Sequence, residues 1–279
     1  MVSEENKPSS SSSQHVGLSS EFTAAEVIEE EVVGGTKVRH KGVYLLPNLF
    51  TTASLFSGFY AIVAAMNGLF DNAAIAIFVS MVLDGLDGRV ARLTNTQSRF
   101  GEEYDSLADM VAFGVAPALV AFTWILSTLG KFGWIAAFIY VAGAALRLAR
   151  FNTQIGSVDK RYFVGLPSPS AAAVVAGTVW SLHVLDQSPV LAVLAALVVA
   201  AAGILMVSNV RYHSFKDLDL KGRVPFVAIL IVVLVFAVIS LAPAHILLAI
   251  FLVYIVSGPV MALVRQNRKN KRRSQSTES

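Results

Sequence analysis

Cysteine is missing from all 279 residues. That excludes disulfides and thiolate-bound zinc. Charge is scarce: 15% of residues are Asp, Glu, Lys or Arg, where a soluble domain carries about 25%. The N-terminus lacks the apolar core of a secretory signal and offers a polar start with the serine run Ser9–Ser13. Aromatic-basic recognition motifs are also missing, so the pI near 9.2 does not point to nucleic acid. The basic residues sit mostly in loops and the C-terminal tail, which suits a cytoplasmic membrane surface.

What is present is apolar. Hydrophobic residues make up 55% of the chain, and the mean hydropathy is +0.63. They collect in about eight runs, near 48–68, 72–93, 103–127, 132–151, 166–185, 187–207, 224–242 and 245–264. Each is close to the roughly 20 residues that a crossing helix needs. The fold class expected is an all-α integral membrane protein with about eight transmembrane helices.

The connections alternate in charge. Segments 67–72, 183–189 and 241–245 carry no Lys or Arg, and 127–133 carries only Lys131. The other connections carry Arg89, Arg92 and Arg99, then Arg147, Arg150, Lys160 and Arg161, then Arg211, Lys216, Lys221 and Arg223. The positive-inside rule places these, and both termini, on the cytoplasmic side of the cell inner membrane. That pattern requires an even number of spans. Eight satisfies it, and so do six with two re-entrant segments. Residues 1–40 read as a polar tail without fixed structure, within which Glu21–Val33 has the composition of a short acidic helix or of a solvated tail. Residues 41–265 read as the membrane domain and 266–279 as a basic cytoplasmic tail.

Four aspartates interrupt the apolar pattern in one short stretch: Asp84, Asp87, Asp105 and Asp109. Carboxylates at membrane depth are costly and mark function. Asp84 and Asp87 share one helix face by their spacing, as do Asp105 and Asp109 on the next helix. At 1.5 Å per residue both pairs fall roughly 10–13 Å from the cytoplasmic helix ends. Four carboxylates in one cavity repel one another and need a divalent cation to coexist ionised. An all-oxygen donor set suits Mg²⁺, Mn²⁺ or Ca²⁺. Gly85 and Gly88 weaken the helix but permit close approach of a large ligand, and Arg92 on that face can pair with phosphate. A diphosphate site is one reading of the group. A proton or metal-ion pathway of a transporter is the other.

The stretch fits D-x2-D-G-x2-A-R-x8-G-x3-D-x3-D at every fixed position, through Asp84, Asp87, Gly88, Ala91, Arg92, Gly101, Asp105 and Asp109. It resembles the signature of the CDP-alcohol phosphotransferases. The resemblance implies an enzyme that moves a phosphatidyl-type group from a CDP-linked donor to an alcohol and releases CMP. It also implies a six-helix catalytic core, a homodimer, and two divalent ions (Mg²⁺ or Mn²⁺) held by Asp84, Asp87, Asp105 and Asp109, with Asp109 as general base. Asn48, Gly88, Ala91, Arg92 and Gly101 are then expected to bind the nucleotide donor.

Outside the signature, Pro47–Ala61, Arg147–Asn152, Gly165–Ala172 and Val207–Lys216 resemble the phosphatidylserine synthase branch of that family. The expected substrates are CDP-diacylglycerol, drawn from the lipid bilayer, and L-serine. A glycerol-phosphate or inositol-phosphate acceptor is the alternative and would need a more basic pocket. Serine is a zwitterion, so its site needs a cation for the carboxylate and acceptors for the ammonium. Arg147, Arg150, Tyr212, Ser214 and Lys216 are the candidates for serine or lipid phosphate. The histidines show no ligand spacing and read as structural. Trp124, Trp134 and Trp180 lie near span ends, as in an aromatic belt.

Overall fold

The computed structural model describes residues 29–33, 36–40, 45–94, 98–153, 162–213 and 226–277. The chain divides into two units, 1–42 and 43–279. In the first unit, β1 (Glu29–Val33) and β2 (Thr36–His40) pair antiparallel, with Glu29 opposite His40 and Val33 opposite Thr36. The sequence reading gave this stretch as a tail without fixed structure, or as part of an acidic helix. The paired strands correct both over 29–33 and 36–40. Val32, Val33, Thr36 and Val38 are β-branched and favour strands, and the residues between the strands are Gly34 and Gly35, a composition typical of two-residue hairpin connections. Residues 1–28, with the serine run, lie outside the described residues.

The second unit is helical. Its described helices are α1 (Leu45–Met66), α2 (Phe70–Thr94), α3 (Arg99–Asp109), α4 (Ala116–Trp124), α5 (Lys131–Thr153), α6 (Ser168–Leu182), α7 (Pro189–Val207), α8 (Phe226–Leu241) and α9 (Pro243–Thr277). A π-helical turn, Met110–Val115, joins α3 and α4 into one continuous segment. These elements fall on the apolar runs read from the sequence. Among the described residues, five segments are long and apolar enough to cross a membrane: 46–66, 99–124, 131–153, 189–207 and 243–262. The protein is therefore a multi-pass membrane protein. On α8, Val233, Leu234 and Phe236 are 59–68% exposed, which is the surface expected of a helix solvated by lipid.

In lipid, helices associate through small residues and interhelical hydrogen bonds rather than by hiding Leu from water. The α1–α2 pair follows that rule. The Ser54 and Ser80 hydroxyls lie 2.7 Å apart, Ser80 also donates to the Ser54 carbonyl at 3.0 Å, and Ser57 donates to the Ala76 carbonyl at 2.7 Å. Ala61, Ala64, Ala65, Ala73 and Ala74 complete the buried seam. On the next face of α1, Gly58 lets the π-helical turn come close: a Cβ there would stand 2.7 Å from the Ala112 Cα.

Two short strands, β3 (Tyr162–Val164) and β4 (Arg211–His213), pair antiparallel and tie the α5–α6 connection to the one after α7. Gly165 turns the chain out of β3 with φ +83°, a conformation that favours glycine, and its N–H donates to the Val210 carbonyl at 2.8 Å. Trp124 is 2% exposed and Trp134 60%. Trp134 therefore keeps a belt-like position, whereas Trp124 is a core residue, buried where α4 ends. His183 lies 3.2 Å from the Asp71 carboxylate and joins α6 to the start of α2.

Candidate active site

Both α2 and α3 pack on α1, and this brings the acids together. Carboxylate oxygens of Asp84, Asp105 and Asp109 lie within 4.8 Å of one another. Opposite ligands of an octahedral Mg²⁺ stand roughly 4.2 Å apart, twice its bond length, so this donor set fits a hard cation with little adjustment. Asp87 stands one turn from Asp84 and is 5% exposed. Its Oδ2 accepts from the Thr51 hydroxyl at 2.9 Å. The π-helical turn begins at the residue after Asp109. Such turns recur at functional sites because the extra residue re-aims the preceding side chains.

Beside the acids lies a pocket of about 220 Å³. Asn48, Gly88, Ala91, Arg92 and Gly101, the expected donor residues, all line it, together with Asp87 and Asp105. Gly88 leaves room there, since a Cβ would meet nothing nearer than the Arg92 guanidinium at 3.9 Å. Gly101 has a different reason: a Cβ would crowd the Ser98 hydroxyl at 3.2 Å and the Asn48 amide oxygen at 3.5 Å. Ser98 is the N-cap of α3 and accepts from the Gly101 N–H at 3.0 Å, which satisfies one of the free donors of a helix start. Gly85 faces open space and, unlike Gly88, does not line the pocket.

The acceptor candidates separate. Arg147 on α5 donates to the Ser168 hydroxyl at 2.6 Å and is near enough to Asp109 and Asp84 to interact with both electrostatically. Arg150 donates to the Val207 carbonyl at 3.0 Å and reaches Asn209 at 3.4 Å. It thereby caps the C-terminus of α7. Tyr212 is fully buried, donates to the Ile255 carbonyl at 3.3 Å, and stacks at a tilt on Tyr254 with ring centres 5.5 Å apart. Burial pushes its phenol up to about 12, so it is a neutral donor that holds α9. Arg150 and Tyr212 are thus engaged by the scaffold. Ser214 and Lys216 lie outside the described residues.

Four pocket residues escaped the sequence reading: Pro47, Thr51, Ser98 and Glu102. Ser98 carried a signal, as a serine just before an acidic helix start. Pro47 and Thr51 fall in Pro47–Ala61, a segment already singled out, but only the fold pairs Thr51 with Asp87. Ser168 falls in a segment already singled out, but only the fold pairs it with Arg147.

The family profile for CDP-alcohol phosphatidyltransferase matches residues 44–210, more than half of the chain. A Helicobacter pylori protein named CDP-diacylglycerol–serine O-phosphatidyltransferase is 40% identical over 215 residues, covering 76% of this chain and 90% of that protein. Proteins of the same name from Methanocaldococcus jannaschii and Saccharomyces cerevisiae are 33% identical over 197 residues and 40% over 152, covering 71% and 50% of this chain and 87% and 54% of those proteins. The matched region holds the four aspartates and every described pocket residue, and it leaves the transporter reading without support. The chain belongs to the CDP-alcohol phosphatidyltransferase family.

Proposed function

We propose that the chain transfers the phosphatidyl group of CDP-diacylglycerol to the hydroxyl of L-serine, giving phosphatidylserine and CMP. The observation that carries this reading is the meeting of Asp84, Asp105 and Asp109 within 4.8 Å, next to a pocket lined by the other signature residues. The names of relatives that this chain nearly spans in length support serine as the acceptor.

In this mechanism Asn48, Gly88, Ala91, Arg92 and Gly101 hold the nucleotide end of the donor. Arg92 offers its guanidinium to the diphosphate. Asp84, Asp87, Asp105 and Asp109 would hold two divalent ions, Mg²⁺ or Mn²⁺, which when bound neutralise charge on the diphosphate and on the departing CMP. Asp109 takes the proton of the serine hydroxyl. The serine oxygen forms its bond to the phosphorus that carries diacylglycerol, and the bond from that phosphorus to the CMP oxygen breaks. Arg147, beside Asp109, receives the serine carboxylate. A phosphorylated acceptor carries more negative charge, and Arg150, the next cation on α5, is held at the end of α7. That favours serine over glycerol phosphate or inositol phosphate.

The same reading places the chain in the inner membrane with both termini and the site on the cytoplasmic side, spanning eight times and acting as a homodimer. The loop charges support the orientation.

The test is an acceptor screen on purified protein. CDP-diacylglycerol and Mn²⁺ or Mg²⁺ are supplied with serine, glycerol 3-phosphate or inositol phosphate in turn, and CMP is measured. Serine alone should stimulate release, and EDTA should abolish it. Stimulation by a phosphorylated acceptor and not by serine overturns the acceptor. Full turnover in metal-free protein overturns the metal site.

A further inference from the structure

We infer that Thr51 is a positioning residue for the metal site, holding Asp87 so that one of its two oxygens is committed to the protein and the other is left for a divalent cation. The inference rests on the reading of Asp87 as a metal ligand and assigns a role to a residue outside the aspartate signature.

The geometry is specific. The Thr51 hydroxyl has one proton and two acceptors in reach, the Pro47 carbonyl at 3.2 Å and Asp87 Oδ2 at 2.9 Å. The shorter contact is to an acceptor that is anionic when it serves as a metal ligand. Such bonds are roughly twice as strong as neutral ones, so the proton goes to Asp87. Both residues are nearly closed to solvent, at 4% and 5% exposure, which limits competition from water for that oxygen. A free aspartate presents two oxygens and rotates. Thr51 engages Oδ2 and the Gly88 N–H also reaches the carboxylate, so rotation of Asp87 is restricted and Oδ1 is the oxygen that Thr51 leaves for a cation.

The seam below explains why the two meet. The Ser54–Ser80 clasp and the Ser57–Ala76 bond lie along the α1–α2 contact. The clasp, the nearer of the two, fixes the sliding register of the helices: Thr51 is one turn from Ser54 and Asp87 two turns from Ser80, and because each side chain tilts toward the N-terminus of its own helix, the two meet between those levels. Thr51 and Asp87 both line the donor pocket. Partners of this kind, behind a ligand, are worth about 10–100-fold in metal affinity when removed.

The experiment compares wild type with Thr51→Val, Thr51→Ala, Thr51→Ser, Ser57→Ala and Asp87→Asn, each as purified full-length chain in detergent. Mn²⁺ affinity is measured by the loss of the free-ion electron paramagnetic resonance signal, without lipid donor. CMP release is then titrated against Mn²⁺ and against serine. Thr51→Val, which keeps shape and removes the donor, should weaken Mn²⁺ binding about 10–100-fold and raise the Mn²⁺ needed for turnover. It should leave the serine KM at saturating Mn²⁺ within about threefold, an effect well under 1.4 kcal/mol. Thr51→Ser should restore Mn²⁺ binding. Thr51→Ala should match Thr51→Val, and it carries the comparison if the valine variant does not fold. Ser57→Ala, which loosens the seam farther from Asp87 and leaves the Ser54–Ser80 clasp in place, should bind Mn²⁺ like wild type. Normal Mn²⁺ affinity in Thr51→Val or Thr51→Ala, with loss in Asp87→Asn, overturns the inference and keeps the ligand reading. Normal affinity in Asp87→Asn overturns both. Equal losses in Ser57→Ala and Thr51→Val show a packing effect and overturn the positioning role.

Discussion

The Tyr140 hydroxyl of α5 donates to the main-chain carbonyl of Phe113 at 2.9 Å, and both residues are fully buried. That carbonyl lies in the π-helical turn after Asp109. Its α-helical partner would be the N–H of residue 117, which is a proline and has none. Tyr140 supplies the missing donor. Tyr140→Phe should therefore leave a buried acceptor unsatisfied and cost about 1–3 kcal/mol, seen as a lower unfolding temperature in detergent. The turn also sets the direction in which Asp109 leaves α3, so turnover should fall more than Mn²⁺ binding does. An unchanged unfolding temperature would mean that the turn satisfies Phe113 by itself.

The acids were legible because their signal is local. Asp84 with Asp87 and Asp105 with Asp109 are set by helical spacing, and their chemistry at membrane depth has few explanations. The apolar runs were legible for the same reason, since span length is fixed by bilayer thickness. The acceptor side was not. Whether Arg147 or Arg150 faces the acids depends on Ser168 and Val207, which only the folded chain brings to them. Positive charge at a cytoplasmic helix end looks identical in the sequence whether it caps a helix or binds a substrate. The strands at 29–33 and 36–40 have Gly34-Gly35 between them in the sequence, but the glutamates at positions 26 and 29–31 suit a solvated tail or a short acidic helix equally well.

Arg147 and Arg150 make opposite predictions. Arg147→Gln removes the cation beside Asp109 and keeps a donor for Ser168. A charge-assisted hydrogen bond to a carboxylate is worth about 1.5–3 kcal/mol, so the serine KM should rise about 10–150-fold while the KM for CDP-diacylglycerol changes little. Arg150→Gln should lower the unfolding temperature and move both KM values together, because it loosens the end of α7. Initial rates across both substrates decide between them. A selective serine effect in Arg150→Gln alone would reassign the acceptor site.

Removing residues 1–40 should leave turnover per folded molecule within a few-fold. Every described pocket residue and all four aspartates belong to the second unit, and no chemistry in the proposed mechanism draws on the first. CMP release by the truncated protein, normalised to its folded fraction, measures this. A loss on the order of 100-fold, about 2.7 kcal/mol of barrier, would make the hairpin or the segment before it part of the site.

Asp109→Asn separates proton transfer from donor binding. The substitution keeps size and hydrogen-bonding capacity, and it removes both a base and an anionic ligand. Loss of a general base alone costs about 10²–10⁴-fold, and weaker metal binding adds to that. Asp109 is not among the residues that line the donor pocket, so affinity for CDP-diacylglycerol should fall far less than turnover. Asp84→Asn should differ: its carboxylate belongs to the same cluster, but in the mechanism it serves coordination only, so metal-dependent donor binding and turnover should fall together. CMP release and CDP-diacylglycerol binding, measured on both variants in matched detergent, give the contrast. If Asp109→Asn keeps more than about a tenth of wild-type turnover, a smaller loss than a base should show, the proton goes elsewhere. Asp105, one turn back on the same face of α3, is then the carboxylate to test next.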